Sequence, residues 1–184
     1  MAMKIRKFRV AHGVPKKDDA AGCENGDIPM AFRFIGLAPE SFAPLLALSD
    51  EELRTRGMRR MIADAKPGFP CRVTLDDAEL GERVLLVPFE HQPAHSPYRS
   101  SGPIFVRENA HESYDHVGDV PPALRARLLS VRVYAEDGMM VDAEVTEGQE
   151  LEPLLERLFA NPNVAYAHVH NARRGCYAAR VERG

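Results

Sequence analysis

The residues best equipped for chemistry lie near the C-terminus: His168, His170, Asn171 and Cys176. If residues 164–170 form a strand, His168 and His170 project from the same face. Two neutral imidazoles on one face can share a divalent metal, a candidate cofactor where the sequence assigns none, with a third ligand from elsewhere. Cys176, Cys71, His91 and Asp142 are candidates for that third position. The plainer alternative is two histidines held on a hairpin face by hydrogen bonds, because structural zinc brings four ligands in tighter spacing. Cys176 lies across the turn from His170, so a Cys–His nucleophilic pair is conceivable, with Arg173 and Arg174 lowering the thiol pKa. A lone cysteine in a strand otherwise serves as a small buried hydrophobe. His168, His170 and Cys176 are thus the candidate catalytic residues, and His168 and His170 the candidate metal ligands.

A second group suits an anion. Tyr98, Arg99, Ser100, Ser101, Gly102 and Pro103 lead into a strand that ends at Arg107. Hydroxyls, a glycine and guanidinium groups match phosphate or carboxylate. Arg72 and Arg132 could join from neighbouring strands, and Asn171 from the terminal hairpin. The stretch lacks the Gly-Lys-Ser/Thr of a phosphate-binding loop. It also lacks the G-x-S-x-G elbow that would make Ser100 or Ser101 a nucleophile. The alternative is a polar turn, with Arg99 paired to an acidic neighbour. The acidic run Asp76–Glu79 lacks the calcium-loop pattern and reads as a solvated turn.

The elements that position these groups read as hairpins with short helices between them. Residues 31–37 read as a strand and 39–48 as a helix with Phe42, Leu45 and Leu46 on one face. Ser49 with Glu52 forms a capping-box pattern, and Gly57 ends the helix it opens. Residues 71–75, 83–89 and 104–107 read as strands, with 92–102 and 109–120 as loops. Pro121 and Pro122 open a short helix. Leu129, Val131 and Val133 alternate with polar residues, as do Val141, Ala143 and Val145 after Gly138. A three-residue turn puts Val133 opposite Val141, and Arg132 opposite Asp142 as a cross-strand pair. Leu151, Leu154, Leu155, Leu158 and Phe159 mark the clearest amphipathic helix. Residues 164–169 and 176–181 form a last hairpin. The expected fold class is α+β: an antiparallel sheet built from hairpins, with short helices inserted, in a single domain.

The 184 residues carry a formal net charge of -3, with 45% hydrophobic and 28% charged residues, which is globular composition. That balance implies no strong nucleic-acid field. Aromatics at 7% with no Trp advertise no base-stacking platform. No apolar run is long enough to span a bilayer, and basic residues interrupt the N-terminus where a signal peptide would need its apolar stretch. Three cysteines without C-x-x-C spacing fit a reducing cytoplasm. Residues 1–29 hold four of the five lysines, Lys4, Lys7, Lys16 and Lys17, and read as a flexible extension. Residues 30–184 read as the domain.

Three stretches carry a resemblance: 64–72 (DAKPGFPCR), 98–108 (YRSSGPIFVRE) and 168–177 (HVHNARRGCY). With them the chain resembles the bacterial family called domain of unknown function 1203, from about Met30 to the C-terminus. The resemblance implies a compact bacterial protein and supplies no activity. From the side chains alone, the expected function is binding of, or catalysis on, an anionic small molecule. Its site would lie between the 98–103 loop and the terminal hairpin. The alternative is a non-catalytic interaction module acting as a homodimer.

Overall fold

A computed structural model describes residues 31–184, so the extension expected over residues 1–29 lies outside the described residues. The described chain is α+β, with strands β1 (Phe32–Ile35), β2 (Arg59–Ile62), β3 (Arg83–Gln92), β4 (Ser100–Arg107), β5 (Asp115–Val117), β6 (Leu128–Tyr134), β7 (Met140–Glu147), β8 (Tyr166–Asn171) and β9 (Tyr177–Arg183). They form a six-stranded sheet in the order β5-β1-β9-β8-β6-β7 and a three-stranded sheet in the order β2-β3-β4. All strand pairings within these sheets are antiparallel. Among the described residues, no helix is long and apolar enough to cross a membrane.

The amphipathic helix forms as its spacing predicts. A 3-10 turn at Gly148–Glu150 leads into Leu151–Phe159, and Pro153 sits in the first turn, where its missing N–H leaves no helical bond unmade. Leu151, Leu155, Leu158 and Phe159 pack on Val131, Val133, Ala167, Val169, Ala179 and Val181 of the large sheet. Leu155 is fully buried there. Leu155→Ala should destabilise the fold by roughly 2–5 kcal/mol, measured by denaturant unfolding at neutral pH.

The opposite face of the large sheet meets the small sheet. Leu85, Val87, Ile104 and Val106 pack there with Phe42, Leu53, Cys71, Val73 and Tyr177. β8 is therefore buried on both faces. Ala167 and Val169 face the helix, while Tyr166, His168 and His170 face the seam between the sheets.

Several local expectations change. The Ser49–Glu52 capping box opens the short helix Asp50–Thr55, and Gly57 follows in the left-handed conformation (φ 72°). The helix expected over 39–48 is broken into a 3-10 turn and Ala43–Leu46, because Pro44 denies the longer helix a backbone donor. Residues 71–75 are a compact turn rather than a strand. Cys71 bridges to Phe105, its N–H donates to the Asp76 carbonyl, and Leu75 takes a positive φ of 50°. β2 and β5 had no clear periodic signal, and β4 begins at Ser100 rather than Ile104 because it runs at a sheet edge that tolerates Pro103.

The β6–β7 register also differs. Arg132 stands opposite Ala143, Val133 opposite Asp142, and Tyr134 opposite Met140. Val141 is the extra residue of a bulge and packs against the main core. Its burial is thus kept without the expected pairing. The slip takes Asp142 away from Arg132, and β7, an edge strand, has too little buried surface to forbid it.

Candidate metal centre

Strand alternation places His168 and His170 side by side, and the third histidine arrives from the other sheet. Leu85, Val87 and Phe89 alternate inward along β3, and His91 extends that row. A β-bulge lies at His91: Glu90 pairs with Ser101 and Gln92 with Ser100, leaving His91 outside the ladder. Consequently His91 and Gln92, consecutive residues, both reach the seam, which regular pleating would prevent. Gln92 is buried there and exchanges hydrogen bonds with the Tyr166 hydroxyl at 2.9 and 3.1 Å.

A second bulge frames the other side. Val169 pairs with Ala179 and His170 with Tyr177, so Ala178 is the extra residue of β9. The bulge turns Tyr177 onto the histidine face. Its ring stacks on His91 at 5.2 Å and 4° and meets His168 and His170 edge-on at 5.2 and 5.9 Å.

One ligand atom from each of His91, His168 and His170 lies within 4.8 Å of the other two. His168 and His170 are 1% and 0% exposed. The Nδ1 of His170 lies 3.0 Å from the Gly175 carbonyl oxygen. A carbonyl only accepts, so Nδ1 carries the proton and Nε2 presents its lone pair. That Nε2, His91 Nδ1 and His168 Nδ1 are all buried without a hydrogen-bond partner among the described residues.

Electrostatics keep the rings neutral. Burial, reinforced by His170, Arg180, His91 and Arg132, pulls the His168 pKa down to about 3. Burial chiefly, with Arg132, His91 and Arg72, takes His170 to about 4. Burial and Arg132 lower His91 as well. Arg132 makes no ion pair among the described residues. Arg180, opposite His168 on β9, lies over the Tyr166 ring at 4.0 Å. Three neutral nitrogen donors with an unpaired cation nearby can hold a divalent metal and attract an anion to it.

The other sequence-derived candidates divide. Cys176 is outside the histidine group: its Sγ contacts the Arg174 carbonyl at 3.8 Å, and no hydrogen bond joins it to His170. The 98–103 loop approaches the centre through Tyr98 alone, whose ring meets Tyr134 edge-on at 6.4 Å, while Tyr134 packs on His168 at 5.1 Å. Arg99 points away into an exposed pair with Glu90 at 2.6 Å. Ser100 and Ser101 are ladder residues opposite Gln92 and Glu90. Arg107 is bound to Glu82 at 2.7 Å, and this pairing holds the Glu82 carboxyl down at about 2. Arg72 and Asn171 do meet, on the outer side of the β8–β9 hairpin, lining one cleft with Arg173, Arg174 and Cys176. Sequence reasoning gave His91 only as one of four third-ligand candidates. It missed Tyr166, which shares the His168 face by alternation, Tyr177, which the β9 bulge turns inward, and Arg180, which cross-strand register sets opposite His168.

No curated protein and no solved structure matches the chain. The model of the family described as "Protein of unknown function (DUF1203)" matches residues 68–183, which hold all three histidines, and the chain belongs to that family.

Proposed function

We propose that this chain is a metalloprotein in which His91, His168 and His170 hold one divalent transition-metal ion and leave a coordination position for a small anionic ligand. The observation that carries this reading is the convergence of the three rings, each with a buried nitrogen that has no protein partner. Leaving a buried polar atom unpaired costs roughly 1–3 kcal/mol each, and a metal ion removes that cost for all three. Coordination at about 2.0–2.1 Å puts nitrogens roughly 3.3 Å apart, so the rings need only small side-chain rotations to close on an ion. The His170 Nδ1–H bond to Gly175 is the kind of outer contact that fixes a metal-binding tautomer.

Three protein ligands suit a working centre better than a structural one, which would close with a fourth. All three donors are neutral, so a bound ion keeps its full charge. Arg132, which has no ion-pair partner among the described residues, adds to that positive field, whereas Arg180 is paired with Glu182 at 2.6 Å; the field favours hydroxide, carboxylate or phosphate at the open position. In that role the ion acts as a Lewis acid, and Arg132 orients the anion. We place the protein in a reducing bacterial cytoplasm, in keeping with the free thiols of Cys71 and Cys176.

Cobalt(II) titration of the metal-free protein tests the reading. Saturation at one equivalent, with visible absorption bands of a low-symmetry nitrogen site, is expected. Those bands should shift when azide or acetate is added and be absent in His170→Ala. Absorption identical to aqueous cobalt would refute the centre.

A further inference from the structure

A second site lies outside the histidine seam. A cleft of about 640 Å³ runs along the outer side of the small sheet. That volume falls in the range of small-molecule pockets. One wall is apolar, built from Pro70, Leu86, Pro103, Phe105 and Leu128. The rest of the lining includes Arg72, Arg127, Glu147, Asn171, Arg173, Arg174 and Cys176.

The charge balance of that lining is uneven, with four arginines against the single carboxylate of Glu147. Arg127 is neutralised by Asp77, a buried carboxylate 2.6 Å away. Arg72 is 2% exposed, yet its hydrogen bonds go only to the backbone carbonyls of Tyr177 and Pro70. No carboxylate pairs with Arg72, Arg173 or Arg174 among the described residues. A buried guanidinium without a counter-charge is strongly unfavourable, so an anion is expected at its open edge. The Asn171 Oδ1 is also buried without a partner, an acceptor that would pair with a ligand hydroxyl or amide.

We infer that this cleft binds an organic phosphate monoester, with the phosphoryl group on Arg72, Arg173 and Arg174 and an apolar body against Leu86, Pro103 and Phe105. Arg72 supplies a planar fork held by the two carbonyls, which is preorganised for a phosphoryl group. Arg173 and Arg174, both exposed on the same cleft, complete the phosphoryl contacts. The apolar wall distinguishes an ester from free phosphate, because it offers nothing to inorganic phosphate and buries the organic group. The site is distinct from the histidine centre, since none of His91, His168 and His170 lines the cleft.

Phenyl phosphate is the probe, with inorganic phosphate and phenol as comparisons, titrated calorimetrically into the full chain with and without chelator. Saturable binding of phenyl phosphate is expected in both conditions, about tenfold or more tighter than inorganic phosphate. Affinity should fall about tenfold or more in Arg173→Ala/Arg174→Ala, a pair of exposed residues whose loss spares the core. Phenyl phosphate should also slow alkylation of Cys176, read by peptide mass spectrometry. Binding that vanishes with chelator would assign the ligand to the metal centre and overturn the cleft proposal. Equal affinity for inorganic phosphate, an unaffected double variant, or no saturable binding at millimolar probe would also overturn it.

Discussion

Lowering the pH from 7 to 5 in the absence of metal should cost the folded protein about 4 kcal/mol, more than most single substitutions. The source is His168 and His170, whose pKa values are drawn down to about 3 and about 4 by burial. In the unfolded chain each returns to about 6.5. Between those values the unfolded state binds more protons than the folded one. Stability is therefore full above about pH 6.5 and falls as the pH drops, by about 2 kcal/mol per imidazole at pH 5. Carboxylates act in the same direction but lower. Glu82, held at about 2 by Arg107, begins to matter only below its ordinary value of 4.5. The window from pH 6.5 to 5 thus isolates the histidines. Urea unfolding at half-unit pH steps checks this, and His168→Gln/His170→Gln should lose most of the slope whatever its absolute stability. A flat wild-type profile across that window would mean that the rings are solvated or already paired.

Metal should produce the second large effect. An ion that binds only the folded state stabilises it by about 4 kcal/mol when present at about a thousand times its dissociation constant. For a domain of this size that is roughly a 10 °C rise in melting temperature. It should appear with zinc, cobalt or nickel and not with magnesium or calcium, which prefer oxygen ligands. His91→Ala, His168→Ala and His170→Ala should each abolish the rise, because two imidazoles make a far weaker site than three. The metal also competes with protons for the same nitrogens, so its addition should move the acid transition to lower pH.

How much of this was legible in the sequence depends on period. Helix Leu151–Phe159 was readable because its burial is one-sided, and the terminal hairpin because an apolar run lies on either side of the Arg173-Arg174-Gly175 turn. The capping box was readable because its chemistry is local. The pairing of His168 with His170 followed from a spacing of two on one strand. The resemblance to the unknown-function family held, although the family model begins at residue 68 rather than near Met30. What failed depended on bulges. Val141, His91 and Ala178 each interrupt a ladder, and a single extra residue reverses every face beyond it. The first moved Asp142 away from Arg132, the second brought Gln92 into the seam beside His91, and the third turned Tyr177 onto the histidines. No periodicity announces such residues, because a bulge is fixed by packing between two sheets. The residues of the expected anion group dispersed for a different reason. Arg99 and Arg107 have the right chemistry but are bound to Glu90 and Glu82, partners distant enough in sequence that only the fold joins them. Arg72 and Asn171 did meet, lining one cleft to which the 98–103 stretch contributes only Pro103.

The central claim is tested most directly by the metal content of the purified, untagged full chain, measured by elemental mass spectrometry beside His91→Ala and His168→Ala/His170→Ala. The account predicts close to one equivalent of a single transition metal in the wild type and almost none in either variant. Wild-type protein free of transition metal, even after incubation with zinc and removal of excess, would contradict it. So would metal retained undiminished when the histidines are gone.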